Sequence, residues 1–464
     1  MTPQEMVERA LAVARSDDCI AIADESSTAN LRWANNTLTT NGVARSRQLT
    51  VIAISRRSDG TAAGVVSRAG VRPDQVEDVV RAAEQAARDG STAEDARPLV
   101  DSSGAPADGS GNWEDPPNET TIGVFEGFAP SLGEAFRAAA AADRRLFGFA
   151  QHEVVSTYVA TTSGLRLRHD QPSGKVEINA KSEDFARSAW TGVATRNFGD
   201  VDVAALDAQL TQRLEWARRR VDLPAGRYET ILPPSSVADL MTYMYWSAGG
   251  RDAHEGQTVF SRPGGETRVG ESLAAVPVTL RSDPAAPGME CAPFVVAHAS
   301  GRDSSVFDNG LRLGATEWIK DGRLAALLQT RHSAALTGLP VTPAIDNLVL
   351  EAPGQRPSLE EMIAQTDRGL LLTCLWYIRE VDPQTLLLTG LTRDGVYLVE
   401  RGEVVGAVNN FRFNESPVSL LGRLAEVGRT QPTLPREWSD FFTRAAMPPL
   451  RIPDFNMSTV SQAS

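Results

Sequence analysis

Two His–Glu pairs and three cysteines are the side chains in this sequence whose types and spacing invite a metal or acid–base reading. A zinc hydrolase needs about three protein ligands, an open position for water, and a carboxylate to take the water's proton. His254-Glu255 stands in GGRDAHEGQTVF. No second histidine follows at a useful spacing, and the glycine flanks read as a solvated loop. If the chain bound zinc by itself, His254, Glu255 and Cys374 would be the set. His152-Glu153 stands in the β-branched run HEVVST. On a strand those two side chains face opposite sides of a sheet, which rules against a shared metal. His298, in VVAHAS, reads as a strand histidine with a local partner. His332 reads as a cation late in a helix, and His169 as a turn residue beside Arg168 and Asp170. Cys374 lies in the apolar run LLLTCLWYI and reads as a buried thiol acting as a small hydrophobe. Cys291, in GMECAP, has no partner close in sequence.

The composition bounds what such groups serve. The 464 residues are 42% hydrophobic and 23% charged, enough for a large core and more than one domain. The net charge of -13 repels a phosphate backbone, which argues against general nucleic-acid binding. The basic run Arg218, Arg219 and Arg220 falls at the end of a predicted helix, where it complements the dipole. The three cysteines form no CxxC, so the usage suggests a reducing compartment and no disulfide framework. The first residues, MTPQEMVERALAVARSDD, carry acids and no apolar h-region, unlike a signal peptide. The longest apolar run, residues 369–378, is too short to span a bilayer. The expectation is a soluble, cytoplasmic protein with no membrane and no nucleic-acid partner.

The elements that must position these groups follow from periodicity. Thr2, Pro3 and Glu5 form an N-cap, a first helical position and a capping box. CIAIAD, NLRWANNTL and QLTVIAISR read as strands joined in antiparallel hairpins. A helix is predicted over 73–88, another from the Ser131/Glu134 capping box to about 145, and a third over 202–220. Residues 88–120 are rich in Gly, Pro, Ser and Asp and read as a flexible insertion. LPAGRYETILPP marks a boundary, and a helix follows over 235–248, with another over 359–365. The fold class is α+β. Residues 1–221 make a helix and antiparallel-sheet domain, and residues 222–464 a strand-rich domain.

Taken together, these segments resemble the TldD/PmbA family, in which a TldD-like and a TldE-like (PmbA-like) chain form a peptidase complex. The resemblance rests on WANNTLTTNGVARSRQLTVIAI in the first half. In the second half it rests on SVFDNGLRLGATEWIKDGRLAALLQTRHSA, SLEEMIAQTDRGLLLT and TRDGVYLVERGEVVGAVNNFRFNESPVSLLGRLAEVG. TldD-like chains carry an HExxxH helix shortly before a segment that matches Thr258 to Ser261. Counting back at that spacing puts Met241, Thr242 and Trp246 where the first His, the Glu and the second His would be. No HExxxH occurs at any nearby register. Cys374 matches the third ligand but has no histidine pair to join.

The resemblance therefore implies a TldE-like subunit of a metalloprotease complex. It would have no catalytic residue and no cofactor of its own, and would join a TldD-like zinc chain as a heterodimer or larger assembly. It would take part in proteolysis of unfolded peptides or processing of leader peptides. Met241, Tyr245, Trp246 and Asp308 are the candidates for facing substrate or partner. Two other readings stand beside it: a metallopeptidase with unconventional ligands, and a stand-alone peptide-binding protein that offers a sheet edge to an extended chain.

Overall fold

The structure is a computed structural model describing residues 1–101, 103, 111–393 and 395–461. Part of the 88–120 insertion thus lies outside the described residues.

The first half is built on six antiparallel strands. These are β1 (Asp18–Ala34), β2 (Thr37–Arg57), β3 (Gly60–Ala69), β4 (Arg144–Thr161), β5 (Arg166–Ser182) and β6 (Ser188–Thr195), in the order β3-β2-β1-β4-β5-β6. CIAIAD and NLRWA belong to one continuous strand, because Glu25 to Ala29 keep pairing with both neighbours. The hairpin after β1 turns on Asn35 and Asn36, both at positive φ (54° and 60°). Asparagine tolerates that region, and a primed turn matches the strand twist.

Four helices cover this sheet. They are α1 (Pro3–Val13), α2 (Val76–Asp89), α3 (Phe128–Ala141) and α4 (Val203–Trp216). The Thr2/Glu5 capping box on α1 is present as predicted. α3 begins a turn earlier than Ser131, and Gly127 precedes it without a side-chain cap. α4 stops at Trp216, so Arg218 and Arg219 lie beyond its end.

β1 shows how the sheet divides its faces. Cys19, Ala21 and Ala23 pack with Val76, Val79, Val80 and Ala83 of α2, while Ile20 and Ile22 point the other way. That second face meets Phe294, Val306 and Phe307 from the second half. A fully buried valine contributes roughly 1.5–3 kcal/mol, so the α2 stripe alone outweighs the helix's weak intrinsic stability. α2 sits so close that a Cβ on Gly64 would lie 2.1 Å from the Ala83 carbonyl oxygen.

Both described flanks of the insertion are packed. Gln4 Nε2 donates to the carbonyls of Trp113 (2.9 Å) and Asp115 (2.8 Å), and Trp113 stacks edge-on against Tyr158.

The second half holds two sheets. The larger contains β7 (Arg220–Val221), β8 (Gly226–Leu232), β13 (Arg368–Leu372), β14 (Trp376–Asp382), β15 (Leu387–Leu391), β16 (Val396–Glu400), β17 (Glu403–Val408), β18 (Phe411–Glu415) and β22 (Leu450–Val460). The order is β14-β15-β18-β22-β8-β13-β16-β17-β7, with β19 (Glu426–Val427) paired to β22. The smaller runs β11-β10-β9-β12-β21-β20. Its strands are β9 (Thr279–Ser282), β10 (Thr316–Lys320), β11 (Arg323–Leu324), β12 (Leu348–Glu351), β20 (Gln431–Thr433) and β21 (Ala445–Met447). β7 lies before the predicted boundary at 221/222 yet pairs with β17 of the second half. One continuous core joins the two sheets and contains α5 (Pro234–Trp246).

Candidate functional site around the Met241–Trp246 helix

α5 opens with Pro234, whose missing N–H would be unpaired there anyway. Ten of its thirteen residues are buried, the pattern of a helix enclosed on nearly all sides. It packs against β8, β20 and β21. Positions five apart on a regular helix diverge by roughly 140°. Met241 accordingly points into the core (1% exposed), while Trp246 reaches the surface (37% exposed). Thr242 is buried and its hydroxyl has no partner among the described residues.

Tyr245 is anchored rather than presented. Its hydroxyl donates to the Ile345 carbonyl at 2.9 Å and accepts from the Ile345 N–H at 2.7 Å. Its ring packs on Trp318 at 5.2 Å between centroids. Asp308 is also turned inward. It accepts from Arg331 Nε at 2.6 Å and from the Arg331 backbone N–H at 3.1 Å. Arg331 then reaches across to the Pro98 carbonyl of the first half. Of the four candidates for facing substrate or partner, Met241, Tyr245 and Asp308 are held inside the chain. Trp246 alone is exposed.

The alternative zinc set does not assemble. His254 ends α6 (Gly250–His254), a short helix rather than a loop, and its Nδ1–H donates to the Gly265 carbonyl at 2.6 Å. Glu255 is gripped by Arg302 and Arg251, which hold its carboxyl down to about 2. A carboxylate so acidic is a poor general base. Cys374 follows β13 and is 5% exposed, packed against Gly395. Among the described residues, no group of three or more His, Cys, Asp or Glu is arranged to hold a metal ion. The side chains at Met241, Thr242 and Trp246, one sulfur ether, one hydroxyl and one indole, do not suit zinc either.

Three of the other histidines, His152, His169 and His298, have structural partners. His152 is in β4, between the Thr120 hydroxyl and the Arg196 carbonyl, and burial lowers its pKa. His169 lies in β5, not a turn, because the strand continues through it opposite Thr157. His298 is in a bend and its partners are distant in sequence, Thr50 Oγ1 at 3.2 Å and Asp24 Oδ2 at 3.4 Å. His332 lies in the first turn of α7 (Arg331–Thr337), since Thr330 caps that helix and starts it there.

Sequence reasoning missed the partners of α5 in the segment 436–442. Trp438 donates from Nε1 to the Asp239 carbonyl at 2.9 Å. It stacks with Tyr243 (5.5 Å) and edge-on with Trp246 (5.4 Å). Asp239 Oδ1 accepts from the Glu437 N–H at 2.8 Å, and its Oδ2 has no partner among the described residues. Complete burial pushes that carboxyl well above the usual carboxylate range. Phe441, next in line, is 75% exposed. It borders a cleft of about 370 Å³ between the halves, lined also by Glu153, His169, Lys175, Asp346 and Arg444. The aromatic spacing in REWSDFF was the only advance signal. No helix among the described residues is long and apolar enough to cross a membrane.

Residues 225–459 match the PmbA/TldA metallopeptidase C-terminal domain. Three solved structures share the fold over nearly the whole chain. TldE from Thermococcus kodakarensis is 17% identical with a TM-score of 0.79, covering 98% of this chain and 99% of its own. A proposed modulator of DNA gyrase from Bacteroides thetaiotaomicron is 15% identical with a TM-score of 0.76, with the same coverage of 98% and 99%. A second such protein, from Thermotoga maritima, is 17% identical with a TM-score of 0.75, again covering 98% and 99%. No curated protein matches the chain. The matched domain spans just over half of the sequence and includes the whole α5 site, so the chain belongs to the TldD/PmbA family.

Proposed function

We propose that this chain is a non-catalytic, TldE-like subunit of a cytoplasmic peptidase complex. It pairs with a TldD-like chain that holds zinc, and together they enclose a cavity where unfolded or leader-type peptides are cut. The observation that carries this reading is the chemistry of α5. Where a zinc chain needs two imidazoles and a carboxylate, this helix has Met241, Thr242 and Trp246, two of them packed inside. His254 and Glu255, the nearest alternatives, are already committed to Gly265 and to two arginines. Phe441 exposes apolar area at the cleft and Trp246 exposes part of its ring on the surface, which suits a partner or an extended peptide. β14 stands at one edge of the larger sheet, a position where an extended peptide can add by backbone pairing without side-chain selectivity.

The test is co-expression with a TldD-like chain. Co-purification as a defined complex, with peptidase activity absent from either chain alone, is the expected result. A chain that stays monomeric when its partner is supplied contradicts the proposal.

A further inference from the structure

A pocket of about 400 Å³ opens between α4 of the first half and the larger sheet of the second, far in sequence from α5. Its walls are Trp216 of α4, Leu359 and Ile363 of α8 (Leu359–Ala364), Leu371 of β13 and Val404 of β17. The volume falls in the range of small-molecule sites, and these apolar walls make up about half of the lining, with Gln209, Gln212 and Thr373 among the polar remainder.

One cation lines it. Arg213 is 8% exposed, and its Nη1 donates to the Trp190 carbonyl. No ion pair among the described residues includes it. The groups that act on it electrostatically are Tyr397 and Cys374, neither a carboxylate, and burial lowers its pKa. Glu360 and Glu403 also line the pocket but stand exposed at its mouth. Buried arginine normally finds a carboxylate, since an uncompensated buried charge is costly and the guanidinium fork fits a carboxylate. Here the apolar wall and the uncompensated cation share one cavity.

We propose that this pocket binds a small apolar carboxylate, with Arg213 pairing the carboxylate and Trp216, Ile363 and Val404 enclosing a branched aliphatic group. That chemistry is offered by a free short-chain acid and by the C-terminal residue of a peptide. The inference does not depend on the chain being a subunit, since every residue in the pocket belongs to this chain.

Calorimetry on the full chain tests it with N-acetyl-leucine, N-acetyl-leucinamide and 4-methylpentanoate. N-acetyl-leucine is expected to bind with Kd of about 1 mM or tighter, and the amide at least ~10-fold more weakly. Binding of 4-methylpentanoate as tight as N-acetyl-leucine makes the ligand a free acid, and weaker binding makes it a peptide end. Arg213→Met should abolish the preference for acid over amide. Ile363→Trp, which fills the cavity and leaves Arg213 in place, should abolish binding of both. Equal affinity for acid and amide, no heat from N-acetyl-leucine with the folded chain, or binding that survives Ile363→Trp would overturn the proposal.

Discussion

Removing one oxygen from α5 separates an anchored helix from a substrate-facing one. Tyr245→Phe keeps the ring, its 3% exposure and its contacts with Trp318 and Phe442. What disappears is a hydroxyl that pairs both backbone groups of Ile345. Ile345 is 2% exposed, so water cannot replace either bond without opening the core. An unpaired buried donor or acceptor costs roughly 1–3 kcal/mol, and two sit side by side here. Partial relaxation brings the sum to about 2–4 kcal/mol. Urea unfolding followed by near-ultraviolet circular dichroism should show the midpoint falling at an unchanged slope. A tyrosine facing a peptide would behave differently, since substitutions away from the core stay within about 0.5 kcal/mol. A loss below that limit would refute the anchoring role.

Three further outcomes follow from the same physics. Asp239 has its folded pKa raised above the unfolded value near ~4, so its contribution to stability is full below that pH and is lost as pH rises toward the folded value. Asp239→Asn should therefore flatten the dependence of the urea midpoint on pH above ~4, and parallel profiles would contradict this. Gly64→Ala should destabilise by about 2 kcal/mol or more, because its Cβ meets the α2 backbone, and thermal melts read this directly. Burial pushes the Cys19 thiol up to about 12 and the Cys291 thiol up to about 11, so both should resist a thiol reagent in the native chain at pH 8 and react in denaturant. Prompt native labelling of either would show that the core there opens readily.

Local signals carried well from sequence to structure. The α1 capping box, the α2 stripe and the α5 periodicity depend on residues within two turns of one another. What they could not carry is long-range. β8 lies between β13 and β22 because the chain returns after more than a hundred residues to pair on either side of it, and no local pattern encodes that. His332 was misplaced for a related reason. The Thr330 cap competes with the apolar periodicity before it, and the preceding residues bridge elsewhere instead of extending a helix. At the site, the absence of a ligand pattern on α5 was plain from Met241 to Trp246. The inward turn of Tyr245 and Asp308 was not, since it depends on Ile345 and Arg331. Trp438, an aromatic partner of α5, lies some two hundred residues away and announced itself only as part of an aromatic cluster.

The central claim is that this chain contributes surface and enclosure while zinc belongs to its partner. Zinc measured in the purified chain, alone and in complex with a TldD-like chain, tests it most directly. The account predicts negligible zinc in the isolated chain and about one zinc per TldD-like subunit in the complex, unchanged by His254→Ala. Stoichiometric zinc in the isolated chain, lost on His254→Ala, would contradict it.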